Sequence, residues 1–256
     1  MRRTTYLAAL VLCAMAPAGH AAATPRLHVS LRPEQLGHET TVGFNVQIPP
    51  PRGRPASPLT QLYLGYPSEI GVAVSGLGIA NCPQARLELF GAHACPAESR
   101  MGKGLALAEI QVGPELIKEQ APVTILRTQE SEGHLAILFS AEGRSPVSAQ
   151  ITFSGVLLPG TTRQEEGIRI DVPLVKGLPG GPDVAVTELQ ASLGPRSLTY
   201  YEHIHGKLVP YHPRGILLPN RCPKRGFVFS AKFSFLDGSK ANAKSRVRCR
   251  ASRHIP

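Results

Sequence analysis

The segment from Cys222 to Cys249 constrains the fold more than any other part of the chain, because it carries a clear β-hairpin pattern. Over residues 227–235, phenylalanine and alanine alternate with mostly polar residues, and over 240–248 basic or polar residues alternate with small or apolar ones. A period of two puts each set on one face of a strand. The pattern therefore predicts two antiparallel strands that share an apolar inner face.

The turn between these strands decides which side chains face each other. A two-residue turn of Asp237 and Gly238 would place Phe235 opposite Lys240 and so bring charges beside the phenylalanines. A three-residue loop over 236–238, with its glycine in the left-handed region, keeps the apolar residues together. This loop predicts two cross-strand pairs: Phe233 with Ala241 and Phe227 with Val247.

The outer face of the second strand is predicted to be a row of positive charges, formed by Lys240, Lys244, Arg246 and Arg248 and continued by Arg250 and Arg253. Such a row can attract anionic glycans, teichoic acids, lipids or nucleic acid. The alternative is edge protection, in which charges on an exposed strand prevent sheet-to-sheet aggregation. Specific nucleic-acid binding is not expected, because the phenylalanines face inward and leave no stacking rings beside the charges.

The N-terminus has the order of features found in a secretory signal. Arg2 and Arg3 precede an apolar run from Leu7 to Ala16, and small residues follow. This order predicts a signal peptide over residues 1–21, whose apolar run is too short to span a bilayer. No later segment is long and apolar enough for a transmembrane helix. We therefore expect a chain exported to the extracellular space or the cell envelope, with its formal charge reduced from +10 to +8 by loss of the two arginines.

Four of the five cysteines lie beyond the predicted signal peptide: Cys82, Cys95, Cys222 and Cys249. An even number of cysteines in an exported chain predicts a disulfide framework. Of the three possible pairings we favour Cys82–Cys95 with Cys222–Cys249, because each pair brackets a compact segment. A four-cysteine zinc site is disfavoured, since neither pair has the C-x-x-C spacing.

The rest of the chain is predicted to consist of short strands. The whole chain contains 25 glycines and 24 prolines, and turn residues separate alternating segments, one of which is a single strand over 198–209. Regularly spaced short strands predict an all-β fold, specifically a β-sandwich that is immunoglobulin-like or of a related antiparallel architecture. We expect one domain over residues 22–256, with the break at 178–182 as the place where it could divide in two.

One short helix is expected near the first Cys-Pro pair. Pro83 suits the first turn of a helix, and Gly91 follows the segment 84–90 where a helix would end. Beyond it, Gly102 and Gly104 flank Lys103, but a phosphate-binding loop would need Ser or Thr after the lysine. These glycines instead predict a bulge or a close approach of the backbone.

Two stretches carry a recognisable pattern. Residues 75–104 read SGL-x4-CP-x-A-x-L and then G-x3-CP-x2-S-x2-G-x-G, and residues 222–249 read CP-x2-GF-x-F, a D-G turn and a final V-x-C. This pattern resembles that of uncharacterised secreted β-rich proteins of actinomycete bacteria with paired Cys-Pro motifs. The resemblance implies secretion and a disulfide-bonded β fold, and it implies no activity.

The segment Tyr200–His205 is the strongest candidate for a chemical site. On one strand, His203 and His205 would share a face, and such a pair binds zinc or copper when a third ligand is near. Ordinary histidines on a polar strand face are the alternative, and no H-E-x-x-H motif is present. We therefore predict no bound metal and no other cofactor.

No catalytic residues are predicted. Ser75 lies in AVSGL, which lacks the first glycine of a nucleophile elbow, and disulfide pairing would leave no free thiol. We therefore predict a secreted, non-catalytic structural or binding module. The alternatives are a secreted hydrolase or metal-dependent enzyme, and a protein that binds polyanions, such as an anionic cell-envelope polymer, through its basic C-terminal strand.

Overall fold

The computed structural model describes residues 24–51, 55–72, 76–129, 133–144, 148–159, 165–177, 179–194, 200–211 and 215–249. The predicted signal peptide, Ser75, Arg250 and Arg253 lie outside these residues, so their predictions are not tested. Among the helices that the structure describes, none is both long enough and apolar enough to cross a membrane.

The described residues form mostly strands. In chain order these are β1 (Arg26–Arg32), β2 (Thr41–Gln47), β3 (Leu59–Pro67), β4 (Gly71–Val72), β5 (Arg100–Val112), β6 (Glu115–Arg127), β7 (Ala136–Gly143), β8 (Ala149–Pro159), β9 (Glu165–Asp171), β10 (Ala185–Leu193), β11 (Tyr200–Ile204), β12 (Lys207–Tyr211), β13 (Ile216–Leu217), β14 (Phe227–Phe235) and β15 (Lys240–Val247). The helix α1 spans Gln84–Phe90, and two 3₁₀ helices span Ala92–Ala94 and Ala97–Ser99.

Eleven of these strands form one antiparallel sheet, in the order β1-β2-β10-β5-β6-β7-β8-β9-β3-β14-β15. The sheet curls until its two end strands meet, and the amide of Val29 on β1 donates a hydrogen bond to Ser245 Oγ on β15 at 3.0 Å. Because every neighbouring pair is antiparallel and the number of strands is odd, β1 and β15 run in the same direction at this seam. The result is a single, nearly closed sheet.

The all-β, antiparallel class is confirmed, but the predicted β-sandwich is not. Two strands join regions that a sandwich would keep in separate sheets: β3 pairs with both β9 and β14, and β10 pairs with both β2 and β5. Alternation assigns the faces of a strand and does not choose its partners, so the sequence pattern could not distinguish the two architectures. The assignment of residues 22–256 to one domain, with its possible division at 178–182, stays a prediction.

The main core lies inside the curl of the sheet. Inward-facing side chains of the end strands alternate with outward ones, as on β1, where Leu27, Val29 and Leu31 are buried. The largest buried side chains include Phe227, Phe229 and Phe233 of β14, in accordance with the predicted inner face. Burying an aromatic or aliphatic side chain of this size contributes about 1.5–3 kcal/mol, so these three phenylalanines contribute much of the favourable free energy of folding.

A second, smaller core lies on the outer side of β6 and β7. Here Leu126 and Leu138 are buried beneath α1, whose Leu87 points inward, and the Cys82–Cys95 disulfide closes the cluster. The helix prediction is confirmed, since α1 follows Pro83 and ends before a left-handed Gly91 with φ of 79°. Being covered on both sides, β7 is apolar along most of its length rather than alternating.

The terminal hairpin has the predicted register. Phe233 lies opposite Ala241, Phe227 lies opposite Val247, and Gly238 takes a φ of 80°. The Cys222–Cys249 disulfide is also confirmed, with a Cα–Cα distance of 6.0 Å. Directly after Cys222 the chain makes a turn, in which the amide of Gly226 donates to the carbonyl oxygen of Pro223 at 2.8 Å.

The prediction for Gly102 and Gly104 is confirmed, whereas the prediction of one strand over 198–209 is wrong. A bulge follows Arg100, and a Cβ on Gly102 or Gly104 would come within 2.3 Å or 2.4 Å of a β10 carbonyl oxygen, so close packing is confirmed. The single strand expected over 198–209 is wrong, because the chain reverses at His205–Gly206 and forms the two-stranded β11–β12 hairpin.

Candidate functional site

The strongest candidate is the outer face of β15 and the residue that follows it. The described part of the predicted charge row consists of Lys240, Lys244 and Arg246 on the strand and Arg248 just beyond its end, here named the basic row. All four side chains are exposed, whereas the residues of opposite parity, Ala241, Ala243, Ser245 and Val247, are half-buried or buried on the core side. This orientation follows from the hairpin register, since β14 turns its phenylalanines inward and so obliges the alternate residues of β15 to face solvent.

Further cations flank the basic row on both neighbouring strands. On β14, Lys232 is exposed and its Nζ lies 5.0 Å from the centroid of the Tyr63 ring on β3. On β1, across the seam, Arg26 and Arg32 are exposed and alternate with the buried leucines. Sequence reasoning did not include these arginines, because nothing in the local pattern places the first strand beside the last.

Counter-charges are not provided for the basic row by the described residues. The ion pairs that are described lie elsewhere, for example Lys176 with Asp183 at 3.0 Å between β9 and β10. The acid next to the row, Asp237, accepts hydrogen bonds from the hydroxyl of Ser239 at 2.6 Å and from its amide at 2.9 Å. Those bonds lower the pKa of Asp237 and hold its carboxylate within the turn. The field over β15 is therefore positive.

A polar groove of about 370 Å³ lies on the outer face over β1, β2, β10 and β5. At Gly43 the missing side chain leaves room for Ser30, whose Oγ would lie only 2.8 Å from a Cβ at that position. Beside it, Asn45 Nδ2 donates to Glu188 Oε1 at 3.1 Å. The polar side chains that line the groove are His28, Ser30, Asn45, Lys103, Gln190 and Ser192. No local sequence pattern reveals this groove, because its strands come from separate parts of the chain.

An apolar cavity of about 50 Å³ lies inside the sheet, against Phe229, Leu77 and Met101. Tyr66 also lines the cavity, and its hydroxyl donates to Glu166 Oε2 at 2.9 Å. Burial, and then this hydrogen bond, raise the pKa of Tyr66 well above its usual range. The hydroxyl is therefore already engaged, and the cavity offers packing space rather than a reactive group.

The two histidines are not brought together as the sequence suggested. His203 is on β11, opposite Leu208, whereas His205 lies in the turn with a φ of 51°, so they do not share a strand face. In the part of the chain that the structure describes, no three His, Cys, Asp or Glu residues are grouped so that they could hold a metal ion. The absence of a cofactor and of catalysis stays a prediction.

Two buried acids could suggest a carboxylate pair for glycoside hydrolysis. Glu109 on β5 lies opposite Lys118 and forms an ion pair with it at 3.9 Å, whereas Glu119 lies opposite Ala108. Adjacent positions of a ladder point to opposite faces, so the two carboxylates lie on different sides of the sheet. Their orientation does not fit two carboxyl groups that flank one glycosidic bond.

Comparison with known proteins adds no assignment: no family model, no curated protein and no solved structure matches this chain.

Proposed function

We propose that this protein is exported, carries no catalytic machinery, and binds an anionic polymer of the cell envelope through the basic row. The observation that carries the proposal is a line of four exposed cations, three on β15 and one directly after it, with no ion pair to a described residue. The two disulfides are compatible with an oxidising, extracellular environment.

The position of the row favours binding over edge protection. Charges that prevent aggregation are useful on a strand whose edge is open to another sheet. Here β1 lies against β15, and Val29 bonds to Ser245 across the seam. The edge is already covered, so the row is available for another role.

The surface around the row is extended enough for a polymer. Alternate residues of a strand are about 7 Å apart, so the row spaces its cations along a line rather than in a compact pocket. On β1, the arginines Arg26 and Arg32 widen the basic surface, and His28 and Ser30 lead from the seam into the polar groove. A chain of repeating anionic units could therefore contact the row and the groove together.

Nucleic acid is a weaker partner for this face. The phenylalanines of β14 are buried, and the Tyr63 ring on the outer face is covered by Lys232. Single-stranded nucleic acids are bound by exposed aromatic rings interleaved with cations, an arrangement that the described part of this face does not have.

The proposal is tested by salt elution from immobilised poly(glycerol phosphate) teichoic acid. The triple variant Lys244→Glu, Arg246→Glu and Arg248→Glu should elute at lower salt than the wild type. For this variant, the slope of log affinity against log salt concentration should be shallower than that of the wild type by about one unit for each cation that contacted the polymer. Wild-type retention that is insensitive to salt would refute the proposal.

A matched control distinguishes the effect of the basic row from the effect of the net charge. Arg86, Arg100 and Arg144 are exposed and lie away from β15, so their replacement by Glu changes the net charge equally. This control should elute close to the wild type. Equal losses in both triple variants would show that only the overall charge matters and would exclude the basic row as a site.

A further inference from the structure

The β11–β12 hairpin is built to stand away from the main sheet. His205 and Gly206 take φ values of 51° and 75°, and Ile204 pairs with Lys207, which makes a two-residue turn of the tight I′ kind. The two strands pair with each other and with no other described strand. A lone two-stranded hairpin is at best marginally stable in water, so this one needs support from elsewhere.

Tyr200 holds the base of the hairpin to the rest of the protein. Tyr200 is buried, and its hydroxyl lies against the carbonyl oxygens of Leu77, at 2.7 Å, and of Arg100. These contacts hold the start of β11 to the body of the protein. Residues 201 and 203–210 beyond this base are exposed to solvent.

The projecting part carries large apolar side chains on both of its faces. Tyr201 and Leu208 are on one face and are 53% and 57% exposed, and Ile204 and Val209 are on the other and are 44% and 38% exposed. A soluble protein seldom keeps a cluster of such groups in water without a partner.

Because apolar side chains lie on both faces of the hairpin, a suitable partner must cover both faces. A protein surface that docks on the hairpin, or a strand added at its edge, would cover one face or one edge and leave the other apolar face in water. The headgroup region of a bilayer surrounds an inserted hairpin on all sides. It also supplies water to the open backbone edges, which the hydrocarbon core could not do.

The charges near the turn are also those that a lipid surface would favour. Lys207 is exposed next to the turn, and its long side chain can extend to lipid phosphates while its stem lies among acyl chains. Beyond the predicted signal peptide, the chain has a formal charge of +8 with its histidines counted as neutral. Tyr201 lies farther from the turn, at the depth where aromatic rings prefer the membrane interface.

From these features we propose that the β11–β12 hairpin docks this protein onto an anionic lipid surface. Its five-residue strands reach about 17 Å, which is enough to place the turn and the four apolar side chains at the boundary between headgroups and acyl chains. The docking site is separate from the basic row, and its test does not depend on polymer binding.

The chain contains no tryptophan, so a single introduced tryptophan reports on one position. Leu208→Trp is mixed with vesicles of equal parts phosphatidylglycerol and phosphatidylcholine, and its emission should shift to shorter wavelength and be quenched by brominated acyl chains. Leu116→Trp, at an exposed leucine on β6, should show neither effect. Emission of Leu208→Trp that stays unchanged while the protein binds the vesicles would overturn the proposal, because binding would then come from another surface.

Vesicle flotation tests the same site without a reporter. The double variant Ile204→Ser and Leu208→Ser should lose about tenfold or more in partitioning to the anionic vesicles, because two apolar side chains no longer leave water. The matched control is Leu116→Ser with Leu174→Ser, two leucines that are 45% and 46% exposed elsewhere, and it should float like the wild type. Equal flotation of the hairpin variant and the wild type, or equal loss in the control, would overturn the proposal.

Two checks complete the design. Thermal unfolding should be the same for the hairpin variant and the wild type, since the replaced side chains make no core. The triple Glu variant of the basic row should keep the tryptophan shift when it carries Leu208→Trp, which distinguishes lipid docking from polymer binding. A shift that arises without vesicles and grows with protein concentration would mean that the hairpin meets a second copy of the chain, and would overturn lipid docking.

Discussion

Val29 and Ser245 join the two ends of the eleven-stranded sheet: the amide of Val29 on β1 donates to the hydroxyl of Ser245 on β15 at 3.0 Å. The two strands run in the same direction at this seam, and a side chain rather than a backbone carbonyl accepts the bond. This contact links the first described strand to the last, and it puts the cations of β1 beside the basic row.

Loss of this contact should weaken the seam. Ser245→Ala leaves the amide of Val29, a buried residue, without its acceptor, so we expect the free energy of unfolding to fall by about 1–3 kcal/mol. Urea unfolding measures the change, and hydrogen exchange at Val29 should become faster. Asn242→Ala, at an exposed position of the same strand, is the control and should change stability by less than about 0.5 kcal/mol. Equal stability of the two variants would contradict the role of the contact.

The two disulfides should differ in their access to reductant. Cys222 is exposed, whereas Cys82 and Cys95 are buried beneath α1, and a thiolate must reach a sulfur to reduce the bond. Under mild reducing conditions, alkylation and mass spectrometry should therefore detect free Cys222 and Cys249 first. The loop closed by this pair spans 27 residues, so its removal by Cys222→Ala with Cys249→Ala should cost about 3.5 kcal/mol in the chain-entropy account. Earlier labelling of Cys82 would contradict this order.

Local patterns accounted for the parts of the fold that are close in sequence. The register of the terminal hairpin follows from the parity of its phenylalanines and one left-handed glycine, and α1 follows from Pro83 and Gly91. The pairing of β10 between β2 and β5 has no such local signal, and that pairing is part of what makes one sheet out of an expected sandwich. The reversal at Gly206 did have a signal, since a glycine after a polar residue is a common hairpin turn.

The candidate sites also differ in whether a local sequence pattern could predict them. The basic row could be predicted because it lies on one strand and depends only on alternation. The arginines of β1 and the polar groove depend on strand neighbours that are distant in the chain, so no local pattern could reveal them. The separation of His203 and His205 depends on where a turn begins, and a shift of one residue decides whether a side chain lies on a strand face.

Stability at high pH should depend on Tyr66. Burial and the hydrogen bond to Glu166 raise the pKa of Tyr66 in the folded protein above that of an unfolded tyrosine, which is about 10. Because the folded-state pKa is the higher one, this contribution is full below about pH 10 and is lost as the pH rises above it. Urea unfolding from pH 9 to pH 11 should show a steeper loss of stability for the wild type than for Tyr66→Phe. Equal dependence of the unfolding free energy on pH in the two proteins would contradict the raised pKa of Tyr66.

The turn of the terminal hairpin should tolerate few replacements at Gly238. Its φ of 80° is unfavourable for a residue with a Cβ, although no atom lies within 4 Å of the place where that Cβ would be. Gly238→Ala should therefore cost about 1–2 kcal/mol through backbone strain alone, and Gly238→Asn should cost less, because asparagine enters the left-handed region more readily. Gly71→Ala is the matched control, since its Cβ would meet Leu217 Cβ at an ordinary 3.7 Å without a left-handed φ. Thermal unfolding that ranks Gly238→Ala level with Gly71→Ala would show that the three-residue loop does not depend on this glycine.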